Sequence, residues 1–96
     1  MIGKKMEKAI NEQINKEIYS AYLYLSMSAY SANIGLTGFS HWFKIQYKEE
    51  LAHADKFFGY LLEQGNLVKL EAIAQPPAEF KSPVALFEQS LKHEQF

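Results

Sequence analysis

The stretch Glu49-Glu50-Leu51-Ala52-His53 constrains this chain more than any other. It sits inside an apolar and aromatic pattern of helical period running from about Gly38 to Gln64. Three residues of α-helix advance about 300° and rise about 4.5 Å. Glu50 and His53 therefore lie one turn apart on nearly one face. Phe39, Phe43 and Phe57 share that face, so the spacing predicts that it packs into a core. Burying an unpaired charge costs several kcal/mol. A carboxylate and an imidazole aimed into such a core need a partner: a bound metal, a buried ion pair or a hydrogen-bonded histidine.

A first helix is predicted from about Lys4 to Ala32. Met6, Ile10, Ile14, Ala21 and Tyr24 recur at spacings of three, four and seven. Glu17 falls in phase with that stripe, which predicts a second inward carboxylate on a second helix. Lys8, Glu12, Gln13 and Lys16 read as the solvated side. Asn33-Ile34-Gly35 ends the helix, with Gly or Asn suited to the left-handed position. After the short loop Leu36-Thr37-Gly38, Thr37 is the expected N-cap of the second helix. So short a connection makes the two helices antiparallel neighbours. Gly65-Asn66 stops the second helix. The segment from about 66 to 81 contains Pro76-Pro77 and no period, so an extended connection is expected. Ser82-Pro83 restarts a helix as N-cap and first turn. Phe87, Leu91 and Glu94 are predicted to share a face there. No Gly or Asn closes this third helix before Phe96, and it reads as cut off.

The expectation is thus one all-α domain over residues 1–96, a helical hairpin plus the start of a third helix. A chain of 96 residues suits one small domain. Being 48% hydrophobic, it can bury a small core. The net charge of −1 gives no basic stripe for nucleic acid. No run of about 20 apolar residues suggests a membrane span. Without cysteine there is no disulfide, thiolate ligand or thiol nucleophile. That is compatible with a reducing cytosol, and a cytoplasmic protein is the expectation.

Glu17, Glu50, His53 and Glu94 form the candidate metal set, on three predicted helices. Oxygen and imidazole ligands without sulfur suit iron, manganese or zinc. The set is similar to the ligand pattern of ferritin-like di-iron proteins, with Glu from two helices and Glu-x-x-His from two others. This is a match to a known pattern, which spacing alone does not establish. A lone Glu-x-x-His is weak evidence; Glu17 and Glu94, each in phase with its own stripe, strengthen it. Tyr24, two turns after Glu17, reads either as a core tyrosine with a paired hydroxyl or as a tyrosine beside the metals. Glu49, about 100° around from Glu50, reads as a solvated residue or as a ligand at the edge of the site. His41 reads as a surface residue.

The joint pattern resembles the prokaryotic non-haem ferritins. Asn11-Glu12-Gln13, Glu17-Ile18-Tyr19-Ser20 and Tyr24 look like their first helix, and Glu49-Glu50-Leu51-Ala52-His53-Ala54 like their second. Glu63-Gln64-Gly65-Asn66-Leu67 and Lys92-His93-Glu94-Gln95 resemble the end of that helix and the third helix. The resemblance implies a first iron held by Glu17, Glu50 and His53, with Glu50 bridging to a second iron also held by Glu94. It implies a third iron site that includes Glu49, and a diiron-adjacent tyrosine at Tyr24. The implied activity is oxidation of Fe(II) by dioxygen or peroxide, followed by storage of ferric iron. Haem-binding relatives place methionine after the Glu of the motif. Leu51 stands there in this chain, so no haem is expected.

Family members continue through further helices that carry more ligands. A half-bundle would leave an apolar stripe open, which predicts association into at least a dimer. In one arrangement, two hairpins form a single four-helix bundle, with Glu17, Glu50 and His53 of both copies around one axis. In another, the third helix supplies Glu94. A metal-free or structural-metal helical interaction module is the alternative reading.

Overall fold

The fold is described from a computed structural model of the chain, which describes residues 1–94 and side chains through Lys92. Three helices account for the architecture: α1 (Lys4–Asn33), α2 (Thr37–Glu63) and α3 (Pro83–Glu94). Among the described residues there is no strand. α1 has 30 residues and α2 has 27, so at 1.5 Å per residue each is about 40 to 45 Å long. The hairpin they form sets the long dimension of a rod measuring 48 × 22 × 19 Å. No helix among the described residues is long and apolar enough to cross a membrane.

Both long helices stop in the same way. Gly35 and Gly65 take φ of 80° and 72°, the left-handed region that side chains with a Cβ avoid. Leu36 N–H then donates to Ser31 C=O at 2.8 Å, and Gly35 N–H to Ala32 C=O at 3.1 Å. Asn66 and Gly65 repeat the pattern onto Leu61 and Leu62, at 2.9 and 3.1 Å. These are paired Schellman closures, which satisfy the last carbonyls of each helix. The starts differ from expectation. Thr37 is the first helical residue of α2 and not its cap. Leu36 occupies the cap position, and no side chain caps the turn. At α3 the expectation holds: the Ser82 hydroxyl accepts from Ala85 N–H at 3.1 Å.

The core lies between the C-terminal half of α1 and the N-terminal half of α2. Leu23, Tyr24, Met27, Phe43 and Leu86 form its buried cluster, with Tyr19, Tyr30, Tyr47 and Phe80 packed around it. Ile14, Ala21 and Tyr24 of the predicted α1 stripe are buried, whereas Met6 is 54% exposed. Leu23 and Met27 lie outside that stripe and are fully buried nonetheless. The reason is that this half of α1 packs on two sides, against α2 and against Phe80 and α3. Phe39, expected inside, is 40% exposed, but it meets Phe87 edge to face at 4.7 Å. On α3 the buried residues are Leu86 and Ser90, while Leu91 is 64% exposed. Of the predicted Phe87–Leu91–Glu94 face, Phe87 is half-buried and Leu91 exposed. The α3 register is set by Leu86 entering the core cluster, which turns Leu91 outward. The side chain of Glu94 lies outside the described residues.

The connection from α2 to α3 is extended, as expected, and it runs as a strap along α1. Polar side chains of α1 at helical spacing hold its backbone. Asn11 donates to Leu67 C=O at 3.0 Å and accepts from Lys69 N–H at 2.8 Å. Asn15 donates to Ala72 C=O at 3.1 Å, and the Ser26 hydroxyl donates to Pro77 C=O. A strap without a neighbouring strand needs such partners for its backbone groups. Glu7 anchors its start by accepting from Leu67 N–H at 2.9 Å and from the Asn66 amide at 3.1 Å. Asn66 also clasps Ile2, accepting from its N–H at 3.2 Å and donating to its C=O at 3.1 Å.

The Glu7 carboxyl is held below its ordinary value of 4.5 by the Leu67 N–H bond, then by the Asn66 amide and by Lys4. A folded-state pKa below the unfolded one contributes stability at pH above the ordinary value. That stability is lost as pH falls through the lower, folded value. Between pH 6 and pH 3, the melting temperature of Glu7→Gln is expected to fall less steeply than that of the unaltered chain. Parallel acid limbs in circular dichroism melts would remove Glu7 from the acid response.

Candidate metal centre

Glu17 stands in the middle of α1, and Glu50 and His53 stand on α2, which runs antiparallel to it. Helical phase points both carboxylates toward the seam between the helices. Burial confirms it, with the Glu17 side chain 16% and the Glu50 side chain 13% exposed. His53 differs from expectation. Its side chain is 51% exposed, although its Nδ1 faces the seam with α1.

The three side chains converge. His53 Nδ1 is 3.6 Å from Glu17 Oε2 and 3.6 Å from Glu50 Oε2. Each of the three offers a ligand atom within 4.8 Å of the others. A separation of 3.6 Å is too long for a hydrogen bond. It suits two ligands of one ion: atoms about 3.0 to 3.6 Å apart subtend about 90 to 120° at a metal about 2.1 Å from each. Two carboxylates and one imidazole are also a donor set that iron accepts. The residues present therefore fit a divalent metal.

The electrostatics run in the same direction. Burial alone would raise the Glu17 carboxyl. The neighbouring Glu50 and Gln13 side chains and the charge of His53 outweigh burial and hold it below its ordinary value. Gln13 was expected on the solvated side. It is half-buried and donates from Nε2 to Glu17 Oε1 at 3.0 Å. The signal that finds it is its i, i+4 spacing from Glu17.

The other candidates take distinct positions. Tyr24 is 1% exposed and stacks on Phe43, with ring centroids 6.2 Å apart and planes 23° apart. Glu49 is exposed, as its helical phase predicts, and His41 is exposed as well. Among the described residues, only Glu17, Glu50 and His53 gather as a potential metal-binding group.

An α-helical hairpin with carboxylates from both helices and a histidine at one seam defines, by class, a helical protein with a potential metal-binding group. The ferritin-like domain family model matches residues 7–96, and the chain belongs to that family. It is 43% identical over 96 residues to a bacterial non-heme ferritin of Campylobacter jejuni, covering 100% of this chain and 58% of that protein. It is 42% identical over 94 residues to one of Bacteroides fragilis, covering 98% and 59%. Its fold matches an open pore ferritin from the hyperthermophilic archaeon Archaeoglobus fulgidus, with a TM-score of 0.96 and 54% identity over 99% of this chain and 59% of that one. A humanized archaeal ferritin matches with a TM-score of 0.96 at 50% identity, over 99% and 58%. The chain spans a little under three-fifths of the length of these relatives.

Proposed function

We propose that this chain is an iron-binding ferritin that oxidises Fe(II) to Fe(III) at a site built on Glu17, Glu50 and His53. The observation that carries the reading is the convergence of these ligand atoms within 4.8 Å, from two antiparallel helices. Membership of the ferritin-like family and the non-heme ferritins among its relatives support iron as the substrate. Carboxylates favour Fe(III) over Fe(II), which suits a site that binds one and yields the other. Two irons each give one electron; dioxygen takes both, with two protons, and leaves as hydrogen peroxide. Peroxide is the alternative oxidant.

Glu50 is proposed as the residue that would bridge to a second iron. Glu94 is proposed as the ligand from α3, and register supports it. Phe80 packs on Tyr30 at 5.3 Å, and Leu86 further on joins the cluster of Leu23, Tyr24 and Met27. α3 therefore runs antiparallel to α1 and in the same direction as α2. Phe87 lies 6.1 Å from Phe43, and seven residues beyond each stand Glu94 and Glu50. Tyr24 is proposed as the tyrosine next to the oxidation site, and Glu49 as a ligand of a third, peripheral iron position.

The open flank of the hairpin, with Trp42 and Tyr60 each 42% exposed, is covered when further helices close a four-helix bundle. Association of copies into at least a dimer is part of the proposal. Storage in a shell and a cytoplasmic setting follow the family reading.

The test is native mass spectrometry after anaerobic Fe(II) loading, followed by oxygen-electrode measurement on adding air. An oligomer carrying about two irons per bundle and consuming dioxygen is expected. A metal-free assembly that leaves dioxygen untouched would leave only a helical interaction module.

A further inference from the structure

We infer that Gln13 is a positioning residue for the metal centre: its amide holds Glu17 Oε1 and leaves Oε2 as the single oxygen that Glu17 offers a metal. The inference rests on the metal-site reading given above.

The geometry is specific. Gln13 Nε2 donates to Oε1 at 3.0 Å, while the other oxygen, Oε2, is the one 3.6 Å from His53 Nδ1. The two oxygens of one carboxylate are thus divided between a donor on their own helix and the ligands of α2. The amide orientation follows from chemistry. Turning it over would set the Gln13 carbonyl against a carboxylate, acceptor on acceptor. Both side chains stand on α1 one turn apart, so the bond needs no rearrangement of the backbone and pre-exists metal arrival. A glutamate side chain otherwise loses much rotamer freedom on binding. Gln13 removes part of that loss beforehand.

Gln13 is a partner and not a ligand. Its two N–H groups would repel a cation, and its hydrogen bond occupies the oxygen farther from His53. Glu17 is then monodentate, and the coordination position it would otherwise fill stays open for a second substrate. Hydrogen-bond partners of metal ligands typically change metal affinity about 10- to 100-fold when removed.

The experiment uses Co(II) as the probe, with the full 96-residue chain. Calorimetry reports affinity. Infrared difference spectra, loaded minus unloaded, report the gap between the antisymmetric and symmetric carboxylate stretches, which narrows when a carboxylate becomes bidentate. Gln13→Met keeps side-chain length without the donor, and Gln13→Ala keeps helix propensity. Both variants are expected to lose affinity about 10-fold or more and to show a narrowed gap. Affinity and gap equal to those of the unaltered chain in either folded variant would overturn the assignment. Weaker binding with an unchanged gap overturns it as well, since that reports a structural role alone. Failure of the unaltered chain to bind Co(II) would overturn both this assignment and the metal-site reading beneath it.

Discussion

Glu50→Lys is expected to abolish metal binding while leaving the helices intact. Glu50 converges with Glu17 and His53, with its Oε2 3.6 Å from the imidazole. Two unit charges 4 Å apart interact by about 4 kcal/mol at an effective dielectric of about 20. Replacing an anion by a cation turns that attraction into repulsion of similar size, and a divalent ion feels it twice. The lysine side chain can reach solvent from the half-open flank, which weakens the repulsion. A loss of about a thousandfold is therefore the smaller end of the expectation, each 1.4 kcal/mol being about tenfold. Anaerobic calorimetry with Fe(II) measures it, with circular dichroism as the control for helix content. Wild-type affinity in a folded Glu50→Lys chain would remove these residues from the metal site.

Phe43→Ala carries the largest expected effect on stability. Phe43 is fully buried and joins all three helices. It stacks on Tyr24 of α1, meets Trp42 of its own helix edge to face at 5.2 Å, and lies 6.1 Å from Phe87 of α3. Truncating a buried phenylalanine to alanine costs about 3 to 5 kcal/mol, from lost burial and the cavity left behind. Domains are stable by only about 5 to 15 kcal/mol in all, so the substitution removes about a fifth or more of the total. α3 should detach first, because Phe87 and Leu86 are its main apolar anchors. Denaturant unfolding followed at 222 nm gives the number, and a cost under about 1 kcal/mol would show that the cluster closes around the gap. Since Phe43 also backs Tyr24, the same variant should broaden the tyrosine environment seen in near-ultraviolet dichroism.

Much of the fold was legible because its signals are local. The 3.6-residue period of Ile14, Ala21 and Tyr24, the Gly35 and Gly65 stops, and Ser82-Pro83 each depend on residues within one or two turns. The Glu50–His53 pair and Glu17 were legible for the same reason: helical phase alone puts a side chain on a face. Phase says nothing, however, about what arrives on that face from elsewhere. The strap was read correctly as extended, but its docking on α1 was not. The bonds from Asn11 to Leu67 and from Asn15 to Ala72 join residues 56 and 57 apart in the chain.

His53 shows the same limit from the other side. Its phase placed it inward, and the structure leaves it half-exposed. Gln13 was grouped with Lys8, Glu12 and Lys16 on the solvated side of α1, yet its amide bonds the Glu17 carboxylate one turn on. On α3, Leu86 enters the core and Leu91 of the predicted face is exposed.

By itself the sequence determined an all-α hairpin, its two glycine stops, and the three side chains able to gather at its seam. These follow from the fixed rise and twist of the α-helix, which every residue shares. Only the tertiary structure decided which arc of α1 is buried, how the strap is held, how far His53 faces solvent, and which oxygen of Glu17 faces His53. Those outcomes depend on contacts between distant segments, whose geometry no local period encodes.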